Sequence, residues 1–253
     1  NDAAELNHNR LAEVAVVADA RLVLEALAEG LQGVRFEPWL AQVAEWERAR
    51  NDKQAAWERL DDVPVNHFRF AAEVQRLVDE NTILIGDGGD IVSACAKVLT
   101  VTRAGQWLDP GPLGCLGVGA PFAIAAQHLY PERRVLILSG DGSFGLNGFE
   151  FDTAVRFGLP IVAIVGNDAG WGQIRGPQVQ MVGAERAIAT SLAPTRYDKV
   201  VEALGGYGEL VTMPDEIAPA LERAFASGKP ACINVMLDPG GMGKTGASSP
   251  YIV

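Results

Sequence analysis

Two acidic turns carry the chemistry open to this sequence. Asp141 stands in Gly140-Asp141-Gly142, just after the apolar run Val135 to Ser139. Asp168 stands in Gly166-Asn167-Asp168, just after the apolar run Ile161 to Val165. A helical crossover between two parallel strands puts both turns on one edge of a sheet. Strands that are neighbours lie about 5 Å apart, and strands one removed about 10 Å. Carboxylates that close repel unless a cation sits between them. A site with oxygen ligands alone suits Mg²⁺ or Ca²⁺, and Mg²⁺ commonly completes its octahedron with phosphate oxygens. Gly140 and Gly142 let a ligand approach the backbone, and Ser143 offers a hydroxyl and an amide to a phosphate. A third turn, Gly86-Asp87-Gly88-Gly89-Asp90, ends an earlier apolar run and opens a helix whose N-terminus favours an anion. The plain alternative for any one of these turns is a tight turn with Asp as a helix cap.

The elements that must position these turns follow from periodicity. The pattern predicts strands at 82–85, 135–139, 161–165, 209–212 and 231–236. Helices are expected at 67–79, 91–99, 120–129, 148–157, 197–204 and 214–227, with a long loop over 169–195. Strands alternating with helices predict an α/β fold with a doubly wound parallel sheet over residues 63–239. Upstream, Val14 to Val17 reads as a short strand and Ala20 to Gly30 as a helix. Residues 1–33 are therefore expected to be the tail of a preceding α/β domain. Residues 34–62, with Trp39, Trp46 and Trp57 among many charges, read as a helical connector docked by its tryptophans. The Gly- and Ser-rich segment 240–253 is expected to be a mobile tail.

Bulk properties narrow the class. The chain has 253 residues, 48% hydrophobic and 21% charged, with a net charge of −11. That balance argues against a nucleic-acid or anionic-membrane surface, so a phosphate ligand must be held by a metal or by backbone amides. No apolar run approaches the roughly 18 residues of a membrane span, and no signal peptide opens the chain. Cys95, Cys115 and Cys232 form no CxxC pair and are expected to be buried free thiols in a reducing, cytoplasmic setting. His8, His67 and His128 are scattered and read as surface or core residues. Glu150 and Asp152 read as solvated or capping.

Gly140-Asp141-Gly142, then 24 residues, then Asn167-Asp168, resembles the signature of thiamine-diphosphate enzymes. There a Gly-Asp-Gly is followed by a paired-Asn turn. Gly111-Pro112-Leu113-Gly114 is similar to the loop that grips the aminopyrimidine. Gly145 to Pro160 and Pro230 to Val235 resemble benzaldehyde lyase, 2-hydroxyacyl-CoA lyase and acetolactate synthase. The likeness covers roughly residues 63 to 238. It implies thiamine diphosphate and Mg²⁺ as cofactors. It makes Asp141, Asp168 and the carbonyl of Gly170 the metal ligands. It also makes Leu113 the apolar wedge under the cofactor, and has the Gly111 carbonyl accept from its amino group. Gly88, Gly89, Asp90, Gly140, Gly142, Ser143 and Trp171 complete the cofactor-binding set. Asp168 departs from the family pattern, which has Asn there, and adds a negative charge at the metal.

The resemblance also implies a reaction in which the thiazolium carbon adds to a carbonyl and the cofactor stores the electron pair. In these relatives a Glu from another domain activates the aminopyrimidine, and no matching segment stands in this sequence. The activating Glu is thus expected from an N-terminal half or a partner chain, within a homodimer or tetramer. Trp171 and residues 172–183 resemble benzaldehyde lyase, while Gly176-Pro177 stands where acetolactate synthases carry Gln-Trp. The expected activity is a carbon–carbon lyase or carboligase of the 2-hydroxyacyl-CoA lyase type, acting on a small molecule that includes CoA thioesters, with the tail 240–253 as a lid. The alternatives are an acetolactate-synthase-like carboligase and a catalytically silent binding module.

Overall fold

The computed structural model describes residues 2–240, and the chain divides into two units, Asn1–Asn51 and Asp52–Val253. The first unit holds helix α1 (Ala20–Gly30), capped by the Asp19 side chain, and most of helix α2 (Glu37–Trp57). No residue of either helix is buried. The strand expected at 14–17 does not form: Val14, Val16 and Val17 lie exposed in irregular backbone. An apolar run becomes a strand only where another strand accepts its ladder of hydrogen bonds, and none lies beside it among the described residues. The expected tail 241–253 lies outside the described residues.

The second unit is an α/β sandwich. Its strands are β1 (Thr82–Asp87), β2 (Trp107–Leu108), β3 (Arg134–Gly140), β4 (Val162–Asn167), β5 (Tyr207–Val211) and β6 (Ala231–Met236). All pair in parallel, in the order β2-β1-β3-β4-β6-β5. Alternate residues feed two cores, as the twofold side-chain period of a strand requires. Leu84, Leu136, Leu138, Ile164 and Ile233 pack with helices α3 (His67–Gln75), α4 (Asp90–Val98) and α10 (Ile217–Ala226) on one face. Ile83, Ile85, Ile137, Ala163 and Val165 pack with α5 (Gly119–Leu129), α6 (Asp141–Asn147), α7 (Phe151–Phe157) and α9 (Tyr197–Ala203) on the other. Both faces are covered, so the strands read as nearly continuous apolar runs.

Two helices replace expected irregular backbone. The chain turns helical at Asp141 itself, and α8 (Gly172–Val182) forms inside the expected loop 169–195. Gly142, Gly172 and Gly176-Pro177 look like helix breakers in sequence. Gly142 and Gly172 are instead small because other side chains pack against them. Helix α3 stops at Gln75, short of the expected 79, and closes with the tighter bonds Leu77 N to Val74 O and Val78 N to Gln75 O. Trp57 packs on Phe68 with ring centroids 4.9 Å apart, as expected of a docking tryptophan, whereas Trp39 and Trp46 pack edge-to-face on each other. Cys95 and Cys232 are buried free thiols, but Cys115 is exposed on the glycine-rich loop. No helix among the described residues is long and apolar enough to cross a membrane.

Candidate cofactor and metal site at the carboxyl edge of the sheet

The strand order fixes where a ligand can enter. From β1 the chain runs out to β2 on one side and returns to β3 on the other. Helix α4, after β1, joins one core, and α6, after β3, joins the opposite core. The loops leaving β1 and β3 therefore diverge, and a crevice opens between them at the carboxyl edge, the usual ligand position in such sheets. Asp87 pairs in register with Ser139, and Gly140 with Gly166. The three turns singled out by sequence thus stand side by side. β3 and β4 are direct neighbours, the closer of the two spacings considered for the acidic turns.

A cavity in this crevice is lined by Gly89, Asp90, Gly140, Asp141, Gly142, Ser143, Asp168, Gly170 and Trp171, along with His67, Ile91, Leu116, Gly166, Gly172, Gln173 and Ile174. Most of the expected site residues therefore meet. Gly88 stands just behind the lining: a Cβ there would meet the Gly140 amide at 2.9 Å and the Ser143 hydroxyl at 3.0 Å. Gly111 and Leu113 do not line the cavity. They form a single 3-10 turn on the loop 111–117, with Leu113 84% exposed.

The glycines divide by what fills their open side. A Cβ on Gly142 would lie 2.6 Å from the Trp171 ring, and one on Gly89 would collide with the Gln173 side chain. These two admit the segment 171–173 rather than a ligand. A Cβ on Gly172 would sit 2.7 Å from an Asp90 carboxylate oxygen and 2.9 Å from one of Asp168, so Asp90 and Asp168 flank the start of α8. Gly140, whose nearest such neighbour is 4.0 Å away, keeps an open side in the cavity.

Asp141 is 2% exposed and accepts from the Gly142 amide at 2.8 Å and the Gly170 amide at 3.1 Å. Burial nevertheless raises its carboxyl to about 6, against the lowering effect of those amides. Asp168 is pushed up to about 7, first by burial and then by the negative charges of Asp141 and Asp90. Asp90 is also raised by burial, only partly offset by Lys97. Among the described residues none of the three makes a salt bridge. One buried and two half-buried acids outside any salt bridge call for positive charge beyond that of Lys97. No group of three or more His, Cys, Asp or Glu among the described residues is placed to hold a metal unaided. Two carboxylates with a backbone carbonyl and phosphate oxygens form the incomplete protein shell that Mg²⁺ accepts. The residues present therefore fit the expected cation and diphosphate.

Sequence reasoning passed over three structural devices. Asp87, 2% exposed, accepts from Gly117 N at 2.9 Å and Gly119 N at 2.8 Å and so pins the glycine-rich loop to the end of β1. Asn167 donates to Thr195 O and Asn234 Oδ1, and its own Oδ1 accepts from Ala169 N. Asn234 in turn donates to Thr195 O and Asp198, which the Arg196 guanidinium clamps. This fully bonded network holds the turn that presents Asp168, where Ala169 sits at a φ of 55°. A lone Asn in the apolar run Ala231 to Met236 was the available signal. The third is His67, expected as an ordinary surface or core residue but placed in the cavity wall.

Comparison with known proteins shows the family of the second unit. Residues 87–235 match the model of the thiamine pyrophosphate enzyme C-terminal TPP binding domain. The acetolactate synthase large subunit IlvG of Mycobacterium tuberculosis is 41% identical over 234 residues, covering 92% of this chain and 42% of that protein. The 2-hydroxyacyl-CoA lyase 2 of Homo sapiens is 37% identical over 233 residues, covering 88% of this chain and 36% of that protein. The 2-hydroxyacyl-CoA lyase of Oryza sativa subsp. japonica is 33% identical, covering 91% of this chain and 42% of that protein. The chain thus spans about two fifths of the length of these curated relatives.

Proposed function

The chain belongs to the thiamine pyrophosphate enzymes, and from that premise we propose that it holds the diphosphate end of the cofactor through Mg²⁺ in a carbon–carbon lyase or carboligase of the 2-hydroxyacyl-CoA lyase type. The observation that carries the cation is the uncompensated pair Asp141 and Asp168 on adjacent strand ends. Asp141, Asp168 and the Gly170 carbonyl would hold the ion. Gly140, Ser143 and the start of α4 at Asp90 would receive the phosphates. When bound, the cofactor supplies an electron sink for a carbonyl carbon. The chain's own residues bind, orient and enclose. The Trp171 ring packs on the Gly142 backbone in the cavity lining, and the Asn167–Asn234 network would keep Asp168 in place. Gly111 and Leu113, on the exposed loop 111–117, would meet the aminopyrimidine end.

No glutamate lines the cavity. The activating Glu of the complete enzyme would therefore come from another segment or a partner chain, in a dimer or tetramer. The substrate would be a small carbonyl compound, with CoA thioesters included by likeness to the lyases. The runner-up is an acetolactate-synthase-like carboligase of 2-oxo acids, favoured by the 41% identity to the mycobacterial synthase subunit. Assaying the complete enzyme with formyl-CoA and with pyruvate as donor separates the two. Turnover of the thioester supports the lyase reading, and turnover of pyruvate alone replaces it with the synthase. The absence of any thiamine circular-dichroism band with Mg²⁺ would leave only a binding module without the cofactor.

A further inference from the structure

Among the described residues, the buried side-chain polar atom left without a hydrogen-bond partner is Nδ1 of His67. His67 opens helix α3, yet that helix start does not need it: the Asn66 side chain already accepts from Phe68 N. The position is rigid. Val65 bridges to Leu237, donating to Met236 O and accepting from Asp238 N, which ties the start of α3 to the end of β6. The ring is 2% exposed and belongs to the lining of the cavity that also holds Asp90, Asp141 and Asp168. Burial keeps the imidazole neutral, pushing its pKa down to about 4 against the attraction of Asp238. One ring nitrogen then donates and the other accepts.

A buried polar atom left unbonded is costly, and native structures rarely keep one without a role. The same cavity also carries the carboxylates of Asp90, Asp141 and Asp168. An ionised phosphate oxygen only accepts and so offers nothing to an unprotonated Nδ1, whereas a water on a bound cation has two protons to give to acceptors. We propose that His67 is a positioning residue whose Nδ1 accepts a hydrogen bond from the water shell of the bound cation–diphosphate group. The inference rests on the cofactor reading above and adds a residue to it. A neutral acceptor here orients that water without adding a fourth negative charge to Asp90, Asp141 and Asp168.

The test uses the 253-residue chain titrated with thiamine diphosphate and Mg²⁺, read by tryptophan fluorescence, with ¹⁵N-labelled histidine followed by NMR. His67→Phe is expected to weaken cofactor binding about tenfold, the size of one hydrogen bond to a charged assembly. The same variant is expected to melt no lower than the unaltered chain when free of cofactor, since it deletes an unmade bond. His67→Asn, which keeps a polar atom near the position of Nδ1, is expected to recover most of the lost affinity. In the unaltered chain the Nδ1 resonance is expected to be that of an unprotonated nitrogen and to move upfield on loading. Equal affinity for His67→Phe, or an Nδ1 resonance that ignores loading, overturns the role of His67 while leaving the cofactor reading standing. No binding by the unaltered chain overturns both.

Discussion

Asp168 bears the largest electrostatic burden in the site. Its carboxyl is raised to about 7 by burial and by two neighbouring acids, against an unfolded value of about 3.9. Between these values the folded state binds more protons than the unfolded state. The stability of the metal-free chain therefore falls as pH rises from about 4 to about 7. Asp141, raised to about 6, acts in the same direction. Replacing Asp168 by Asn removes this penalty. Asp168→Asn is expected to raise metal-free stability by on the order of 1 kcal/mol, more at pH 8 than at pH 5. Urea denaturation in EDTA at both pH values checks it, and an equal change at both would contradict the electrostatic origin. The same acids make protons compete with the cation. Mg²⁺ affinity should climb from pH 5 to pH 8, less steeply in the Asn variant.

At the scale of elements, the site depends on loops tied to strand ends. Asp87 holds the loop that carries Gly111 and Leu113 by two buried bonds to backbone amides. Asp87→Ala strands both amides and is expected to cost about 2 kcal/mol, since each unsatisfied buried donor costs roughly 1–3 kcal/mol and loss of the buried carboxyl offsets part. Denaturant midpoints measure this, and an unchanged midpoint would show the loop to be held otherwise. Gly142→Ala tests the packing of Trp171 on the backbone of α6. The added methyl would lie 2.6 Å from the ring, so Trp171 must leave and its fluorescence should shift to the red, whereas an unshifted spectrum would place the ring elsewhere. The same elements mark what was legible in the sequence. The parallel sheet and the acidic turns were legible because doubly covered strands are long apolar runs and because Gly-Asp-Gly and Asn-Asp each follow one. Helices α6 and α8 were not. Their glycines look like breakers, and only the packed structure reveals that Gly142 and Gly172 make room for Trp171, Asp90 and Asp168. The run Val14 to Val17 misled for the reverse reason, since its apolar pattern has no partner strand to make it β. His67 carried no local signal, because an isolated His at a helix start has the same pattern whether or not it faces a cavity.

At the scale of the whole molecule, the residues 2–51 bury no side chain, and Trp39 and Trp46 remain 59% and 57% exposed. Exposed aromatic surface of this kind is typical of an interface. The cavity of the second unit carries aspartates but no glutamate. The 253-residue chain by itself is therefore expected to be inactive and to gain turnover only with a second polypeptide or segment that supplies a carboxylate to the aminopyrimidine. Light scattering after size exclusion, paired with an assay, checks this, and a stable, fully active monomer would contradict it. The residues proposed for the diphosphate end, by contrast, all belong to this chain, so binding there can be measured on it directly. Calorimetric titration with thiamine diphosphate, in Mg²⁺ and then in EDTA, for the unaltered chain and Asp141→Ala, tests whether a cation at Asp141 holds the diphosphate. Binding is expected to require Mg²⁺ and to fall at least about 100-fold in the variant, with the fold retained by far-UV circular dichroism. Binding that survives EDTA, or an Asp141→Ala chain that binds as tightly as the original, would contradict it.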